Sequence, residues 1–103
     1  MLVMTPSTEF SDNAELSRYE IRVDGDLAGW LEYRPSGESV TLAHTEILDA
    51  YEGQGLGGQL VRHALRATRD AGNSVRITCP FAAAYLDRHP ELGESPGDSG
   101  GRP

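Results

Sequence analysis

Residues 51–58 read YEGQGLGG, and after Gln59 the chain continues with the amphipathic run LVRHALRATRD at 60–70. Four of the eight positions are glycine, which is costly beside a helix because its backbone loses more conformational freedom on folding than that of any other residue. The pattern predicts a glycine-rich loop that leads directly into a helix. Glycine at such a place lets another group approach the backbone closely, and the amides at a helix N-terminus attract anions such as phosphate.

The residues on either side of this loop predict a domain of the α/β (α+β) class with the order β-β-β-α-β-α. Alternating apolar and polar residues indicate strands at 19–23, 27–33 and 39–48. After the loop, the spacing predicts a helix that ends at Ala71-Gly72-Asn73, a strand at 74–79, and a second helix between Pro80 and Pro90. A right-handed crossover makes the strands at 39–48 and 74–79 parallel neighbours in a mixed sheet.

Length, charge and composition limit the classes of function. The 103 residues make one domain, which we assign to 1–92, with a flexible arm at 1–16 and a disordered tail at 93–103. The net charge of −7 disfavours nucleic acid and favours a cationic partner. No apolar run is long enough to span a membrane, and the first residues have no secretion-signal pattern. The single cysteine fits a reducing compartment, so we expect a cytoplasmic protein.

Several phosphate-binding loops begin with a glycine-rich turn of this kind. A Walker A loop needs Lys and then Ser or Thr after its last glycine, but here Gly58 is followed by Gln59 and Leu60. A dinucleotide-binding turn needs a second βα unit, for which the chain is too short. The stretch EGQGLG at 52–57 instead resembles the acetyl-CoA loop of the GNAT (N-acetyltransferase) superfamily, written Arg/Gln-x-x-Gly-x-Gly/Ala. A glycine-rich turn without a ligand is the alternative.

The resemblance continues on both sides of the loop and covers residues 18–92. The segment ILDAY at 47–51 stands where the family has the lead-in V-x-P-x-Y. HTE at 44–46 and CPFAAAYLDRHPE at 79–91 are similar to motifs of the very small, single-domain branch of the superfamily.

This resemblance implies a minimal GNAT fold in which the two parallel strands splay apart and acetyl-CoA enters the gap. It implies transfer of an acetyl group from acetyl-CoA to an amine, either a protein lysine or a small amine, by direct attack in a ternary complex. It assigns no residue to a metal. The residues that it assigns to acetyl-CoA binding are Ile47, Leu48, Asp49, Glu52, Gly53, Gln54, Gly55, Leu56, Gly57, Gly58 and Arg62.

The chain departs from the family pattern in three ways. The first loop position, usually Arg or Gln, is Glu52, whose carboxylate has the wrong sign for a pyrophosphate, so Arg62 is a candidate to compensate. The lead-in proline is replaced by Asp49. The first strand-plus-helices segment, with which larger members hold the acceptor, is missing, which implies an open acceptor site.

Acyl transfer needs a base for the ammonium and an acid for the departing thiolate. The strand at 39–48 is predicted to carry Val40, Leu42, His44 and Glu46 on one face, and either His44 or Glu46 is a candidate base. Imidazole titrates near working pH without help, whereas a glutamate needs burial or a water relay. The alternative is that His44 is a hydrogen-bonded, half-buried residue and that Glu46 is a solvated strand residue.

Cys79 and Tyr85 are the other candidate catalytic residues. Cys79 ends a strand and begins a helix, where the helix dipole favours a thiolate, although most cysteines simply pack in the core. Tyr85 corresponds to the tyrosine that serves as general acid toward the CoA sulfur in many relatives, or it packs against Phe81 one helical turn earlier. Two other interpretations remain open: transfer through a Cys79 thioester, and a non-catalytic CoA-binding or protein-interaction module.

Overall fold

The computed structural model describes residues 7–93, so the predictions for 1–6 and 94–103 lie outside the described residues. A 3-10 turn, Asp49–Tyr51, lies between the last antiparallel strand and the first helix. The strands and helices are β1 (Thr8–Asn13), β2 (Arg18–Val23), β3 (Asp26–Ser36), β4 (Ser39–Ile47), α1 (Leu56–Asp70), β5 (Ser74–Ile77), α2 (Pro80–Arg88) and α3 (Pro90–Gly93). No helix in this part of the chain is long and apolar enough to cross a membrane.

The strands form one mixed sheet, as predicted, and they lie in it in chain order. The first four strands are antiparallel, and β5 joins β4 in parallel. The β4–β5 pairing extends only from Ser39↔Ser74 to Leu42↔Ile77. The amides of Thr78 and Cys79 then both donate to the Leu42 carbonyl, at 3.0 and 3.1 Å, where β5 ends and the chain turns toward α2. The predicted splay between the parallel strands therefore begins directly after Leu42.

Within the predicted flexible arm at 1–16, strand β1 corrects the interpretation for residues 8–13. This polar segment, TEFSDN, has one large apolar residue and gave no strand pattern, but it pairs with β2 along its whole length. The Phe10 ring stacks on the His63 ring of α1, with centroids 4.4 Å apart. The Tyr33 hydroxyl donates to the Asp12 carboxylate at 2.5 Å. Burial of His63, together with the nearby Arg66, lowers the pKa of the imidazole and favours its neutral, stacking form.

A bulge in β4 corrects the predicted faces of that strand. Glu32 pairs with His44, but the next residue of β3, Tyr33, pairs with Leu42, so Ala43 is an extra residue in the ladder. Such an extra residue reverses the alternation of side chains. His44 and Glu46 therefore lie on the face of the sheet opposite to Val40 and Leu42, and not on the same face as predicted.

Helices α1 and α2 pack on one face of the sheet and bury the core there. The charged residues lie on the other face, which we call the open face; it consists of Arg18, Glu20, Arg22, Trp30, Glu32, His44 and Glu46. The core on the helix side consists of Tyr19, Ile21, Val23, Ala28, Leu31, Tyr33, Val40, Leu42, Leu56, Leu60, Val61, Ala64, Leu65, Cys79 and Ala82.

Candidate active site

The loop between β4 and α1 presents unused backbone amides. Gly53 and Gly55 have φ angles of 83° and 77°, which residues with a Cβ adopt only with strain, so glycine is required at both positions. Gly55 is the N-cap of α1 and supplies no capping side chain. The first-turn amides of a helix have no intrahelical acceptor, so those of Leu56, Gly57 and Gly58 can bind a ligand. Such a group of N–H donors at the positive end of a helix is suited to an anion.

The lack of a Cβ at Gly57 and Gly58 also allows close packing of α1 against α2. A Cβ at Gly57 would lie 2.7 Å from the Phe81 Cζ atom, and a Cβ at Gly58 would lie 2.5 Å from the Tyr85 Cε1 atom. Two aromatic rings of α2 therefore lie directly on the backbone of the first turn of α1. The glycine-rich stretch therefore combines a strained loop with a helix–helix contact. Substitution of Gly57 would disturb the packing of α1 on α2, so it would not test anion binding alone.

A cleft of about 640 Å³ lies between this loop, the last residues of β4 and helix α2. Its volume is in the range of small-molecule sites in proteins. On the β4 side its lining residues are Thr45, Glu46 and Ile47, which lie beyond Leu42, the last residue of β4 that pairs with β5. The lining residues are Thr45, Glu46, Ile47, Tyr51, Glu52, Gly53, Gly55, Leu56, Gly57, Gly58, Phe81, Tyr85 and Arg88.

The charges that line the cleft come from Glu46, Glu52 and Arg88. Arg88 is the one cation among the lining residues within the described chain, and it follows Phe81 and Tyr85 on one face of α2. Arg62, expected to compensate for Glu52, is not among the lining residues, and its Nε atom donates to the Tyr85 hydroxyl at 2.9 Å. The arginine on the cleft side is therefore Arg88.

The comparisons with known proteins agree with this geometry. A family model described as GCN5-related N-acetyl-transferase matches residues 18–95, which is most of the chain. The chain belongs to the GCN5-related N-acetyltransferase (GNAT) family. A solved GNAT family acetyltransferase from Brucella melitensis, crystallised in complex with acetyl-CoA, is similar over 58% of this chain, with 26% identity and a TM-score of 0.51. This GNAT chain spans only 44% of the Brucella chain. No curated protein matches the sequence.

The two predicted base candidates of this GNAT chain lie together on the open face. The His44 Nε2 atom is 3.0 Å from the Glu46 Oε1 atom, and the two side chains are 53% and 49% exposed. Glu46 also lines the cleft, whereas His44 does not. Glu46 therefore connects the open face, on which His44 lies, with the helix-side cleft.

Cys79 lies in the core beside the splay and does not line the cleft. The residue is 1% exposed, and its Sγ atom is 3.4 Å from the Thr45 Oγ1 atom. As the N-cap of α2, Cys79 accepts a weak hydrogen bond from the Ala82 amide at 3.5 Å. This position matches the packing alternative more closely than an accessible nucleophile.

We expect Cys79 to react slowly with a thiol reagent in the folded protein, because the sulfur atom is covered. Cys79 is the only cysteine, so labelling followed by intact-mass spectrometry reports on this position alone. The same protein in denaturant is the control and should react at the rate of an ordinary thiol. Fast labelling of the folded chain that CoA suppresses would contradict the packed role and favour the covalent relay.

The remaining predicted cofactor residues divide into two groups. Ile47, Glu52 and Leu56 line the cleft together with Gly53, Gly55, Gly57 and Gly58. The second group lies outside the lining and consists of Leu48, Asp49, Gln54 and Arg62. The Leu48 amide donates to the Ala28 carbonyl at 2.8 Å, so it is not available to a ligand lying along the strand edge.

Four lining residues were not among the predicted site residues: Thr45, Tyr51, Phe81 and Arg88. Phe81, Tyr85 and Arg88 recur at i, i+4 and i+7, so the helical spacing around Tyr85 could have identified the other two. Tyr51 stands in the recognised lead-in segment. Thr45 carried no sequence signal, because it faces the helix side only as a result of the bulge at Ala43.

Proposed function

We propose that this GNAT chain is an acetyl-CoA-dependent N-acetyltransferase of the very small, single-domain branch, and that it transfers an acetyl group to a primary amine. The observation that carries the proposal is the cleft at the splay, which is bounded by the uncapped N-terminus of α1. Family membership supports the assignment, and so does the acetyl-CoA bound to the similar Brucella protein.

The cleft has suitable groups for the two ends of acetyl-CoA. The amides of Leu56, Gly57 and Gly58 would donate to the diphosphate, and Arg88 would supply the positive charge that Glu52 cannot. The apolar part of the lining, which includes Ile47 and Phe81, suits the pantetheine arm. In this arrangement Arg88 takes the role that the sequence analysis gave to Arg62.

The acceptor would approach from the open face, opposite the cofactor. His44, held by Glu46, would remove a proton from the acceptor ammonium. The free amine would then attack the thioester carbonyl, the carbon–sulfur bond would break, and the nitrogen would lose its second proton to water. Tyr85, which lines the cleft, would give its hydroxyl proton to the departing thiolate. The net charge of −7 suits a lysine-rich protein or a polyamine as the acceptor.

Acetyl transfer to a panel of amines tests this function directly. The panel contains a polyamine, free lysine and a lysine-rich peptide, and release of CoA thiol and the mass of the acetylated product are both measured. We expect at least one cationic amine to be acetylated with one CoA released per product. CoA binding without turnover on every acceptor would instead select the non-catalytic CoA-binding module.

The charges in the cleft give a paired prediction for CoA affinity. Arg88→Gln should weaken CoA binding by about tenfold, because a charge-assisted hydrogen bond to phosphate is lost. Glu52→Gln should tighten it by at most about fivefold, as expected for a solvent-screened charge. Calorimetric titration measures both, and Arg76→Gln, which removes an exposed arginine outside the cleft, is the control. Equal affinities for Arg88→Gln and Arg76→Gln would contradict the role of Arg88.

A further inference from the structure

The contact between Arg62 and Tyr85 joins the two helices that border the cleft. The Arg62 Nε atom donates to the Tyr85 hydroxyl oxygen at 2.9 Å, and its guanidinium carbon lies 6.0 Å from the centre of the tyrosine ring. Arg62 is on α1 and Tyr85 is on α2. A long, exposed side chain loses considerable rotamer entropy when it is held in one position, so this bond has to compensate for an entropic cost.

The tyrosine ring is also fixed by its other neighbours. Its edge lies against the Gly58 backbone, where a Cβ would be 2.5 Å from the Cε1 atom and 3.0 Å from the hydroxyl oxygen. The His89 ring lies 4.3 Å away, centre to centre, and the Phe81 ring lies at 6.3 Å. Two neighbouring rings, one backbone contact and one hydrogen bond therefore define the position of the Tyr85 hydroxyl.

The direction of the Arg62–Tyr85 bond determines what the hydroxyl can still do. An arginine N–H can only donate, so the phenol oxygen accepts this bond and keeps its own proton for another acceptor. Tyr85 lines the cleft and Arg62 does not, so Arg62 binds the hydroxyl oxygen from outside the cleft lining. The ionisable groups close to Tyr85 are Arg62, Arg88 and His89, and Glu91 is paired with His89 at 3.5 Å. The hydrogen bond that Arg62 donates to the Tyr85 hydroxyl raises the pKa of the guanidinium further, so this neighbour stays cationic.

We propose that Arg62 is a positioning residue that holds the Tyr85 hydroxyl with its proton directed into the cleft and stabilises the tyrosinate formed during the reaction. The inference rests on the proposed acetyl transfer. The O–H bond of Tyr85 breaks, the proton moves to the CoA sulfur as the carbon–sulfur bond breaks, and CoA leaves as the thiol. The negative charge left on the phenol oxygen faces the Arg62 guanidinium until water returns a proton.

The first test separates turnover from binding. Arg62→Gln should lower kcat by about tenfold. This is only part of the roughly hundredfold or greater effect of a general acid, because the variant still has the Tyr85 hydroxyl. The KM for acetyl-CoA should stay within about twofold. Arg62→Lys keeps the charge without the fixed Nε geometry, so its kcat should lie between those of Arg62→Gln and the wild type. Arg66→Gln removes a comparable exposed charge from the same helix and is the control for charge alone.

A double-mutant cycle tests whether Arg62 acts through Tyr85. In the Tyr85→Phe background, Arg62→Gln should have no further effect on kcat, because the phenol oxygen is already absent. The hydrogen bond can also be detected without turnover, because it slows the exchange of the Arg62 Nε proton with water. Nitrogen-edited NMR spectra report this exchange. We expect this exchange to become fast in Tyr85→Phe and to stay slow in Arg66→Gln.

The outcomes distinguish this inference from the function on which it rests. Any one of three results would overturn the positioning role alone. Arg62→Gln could keep the wild-type kcat, it could lower kcat as much in the Tyr85→Phe background as in the wild type, or the Arg62 Nε proton of the wild type could exchange fast. A wild-type chain that binds CoA but acetylates no amine would overturn the proposed function, and the positioning role with it.

Discussion

Replacement of Gly55 by valine should abolish the stabilisation of the protein by CoA. Gly55 has a φ angle of 77°, and a β-branched residue at that angle is strained by about 1–3 kcal/mol. The loop would relax toward negative φ, and the amides at the start of α1 would no longer point together at the diphosphate. For the wild type, CoA at a hundred times its Kd should add about 2.7 kcal/mol to the free energy of unfolding. Denaturant titration with and without CoA measures the difference.

A matched control for this variant exists at the turn between β3 and β4. Gly37 has a φ angle of 61° and does not line the cleft, and a Cβ at this position would meet no described atom within 4 Å. Gly37→Val should therefore cause a similar loss of intrinsic stability while it keeps the full effect of CoA. If CoA stabilises Gly55→Val and Gly37→Val equally, the loop conformation does not matter for binding and the anion site is wrong.

Replacement of Gly29 by alanine should produce the largest loss of intrinsic stability. Gly29 lies opposite Ile47, and a Cβ there would be 2.5 Å from the Glu46 carbonyl oxygen and 2.6 Å from the Ile47 Cδ1 atom. Overpacking against a rigid backbone costs about 1–3 kcal/mol or more, which is a substantial part of the stability of a small domain. Because Glu46 and Ile47 line the cleft, the displaced strand should also weaken CoA binding. Denaturant unfolding and calorimetry give the two values.

The double variant Gly29→Ala with Ile47→Val identifies which clash is responsible. Valine lacks the Cδ1 atom, so it relieves the contact with the side chain but leaves the contact with the Glu46 carbonyl oxygen. We expect only partial recovery of the free energy of unfolding relative to Gly29→Ala. Full recovery in the double variant would show that the strands can tolerate the backbone contact. If Gly29→Ala were as stable as the wild type, the position would not require glycine for steric reasons.

The elements around the glycine loop could be predicted because local signals and tertiary packing agree there. Apolar spacing and the glycine stop at Gly72 define α1, and Pro80 marks the beginning of α2. The parallel pairing of β4 with β5 follows from the handedness of the crossover between them. In these cases the physical cause lies within the element or in the single connection between consecutive strands, so the sequence contains it.

The features that could not be predicted depend on contacts between distant residues. Strand β1 is held by the stacking of Phe10 on His63 and by the hydrogen bond between Asp12 and Tyr33. These partners are far apart in the sequence, and hydropathy does not reveal such contacts. The bulge at Ala43 reverses the faces of β4 and moves His44 away from the cleft without any glycine or proline to mark it. Arg88 lines the cleft in place of the expected Arg62, because Arg62 binds Tyr85 outside the lining and α2 presents Arg88 on the same face as Phe81 and Tyr85.

The central claim is that CoA occupies the helix-side cleft with its diphosphate at the start of α1. A nitrogen-15 NMR titration of the wild-type chain with CoA tests this claim most directly. We predict saturable shifts of the Gly53, Leu56, Gly57 and Gly58 amides, with little change at Gly25 and Gly37, which lie in turns outside the cleft lining. Shifts confined to the open face, such as at the Trp30 indole, or no shifts at millimolar CoA, would contradict it.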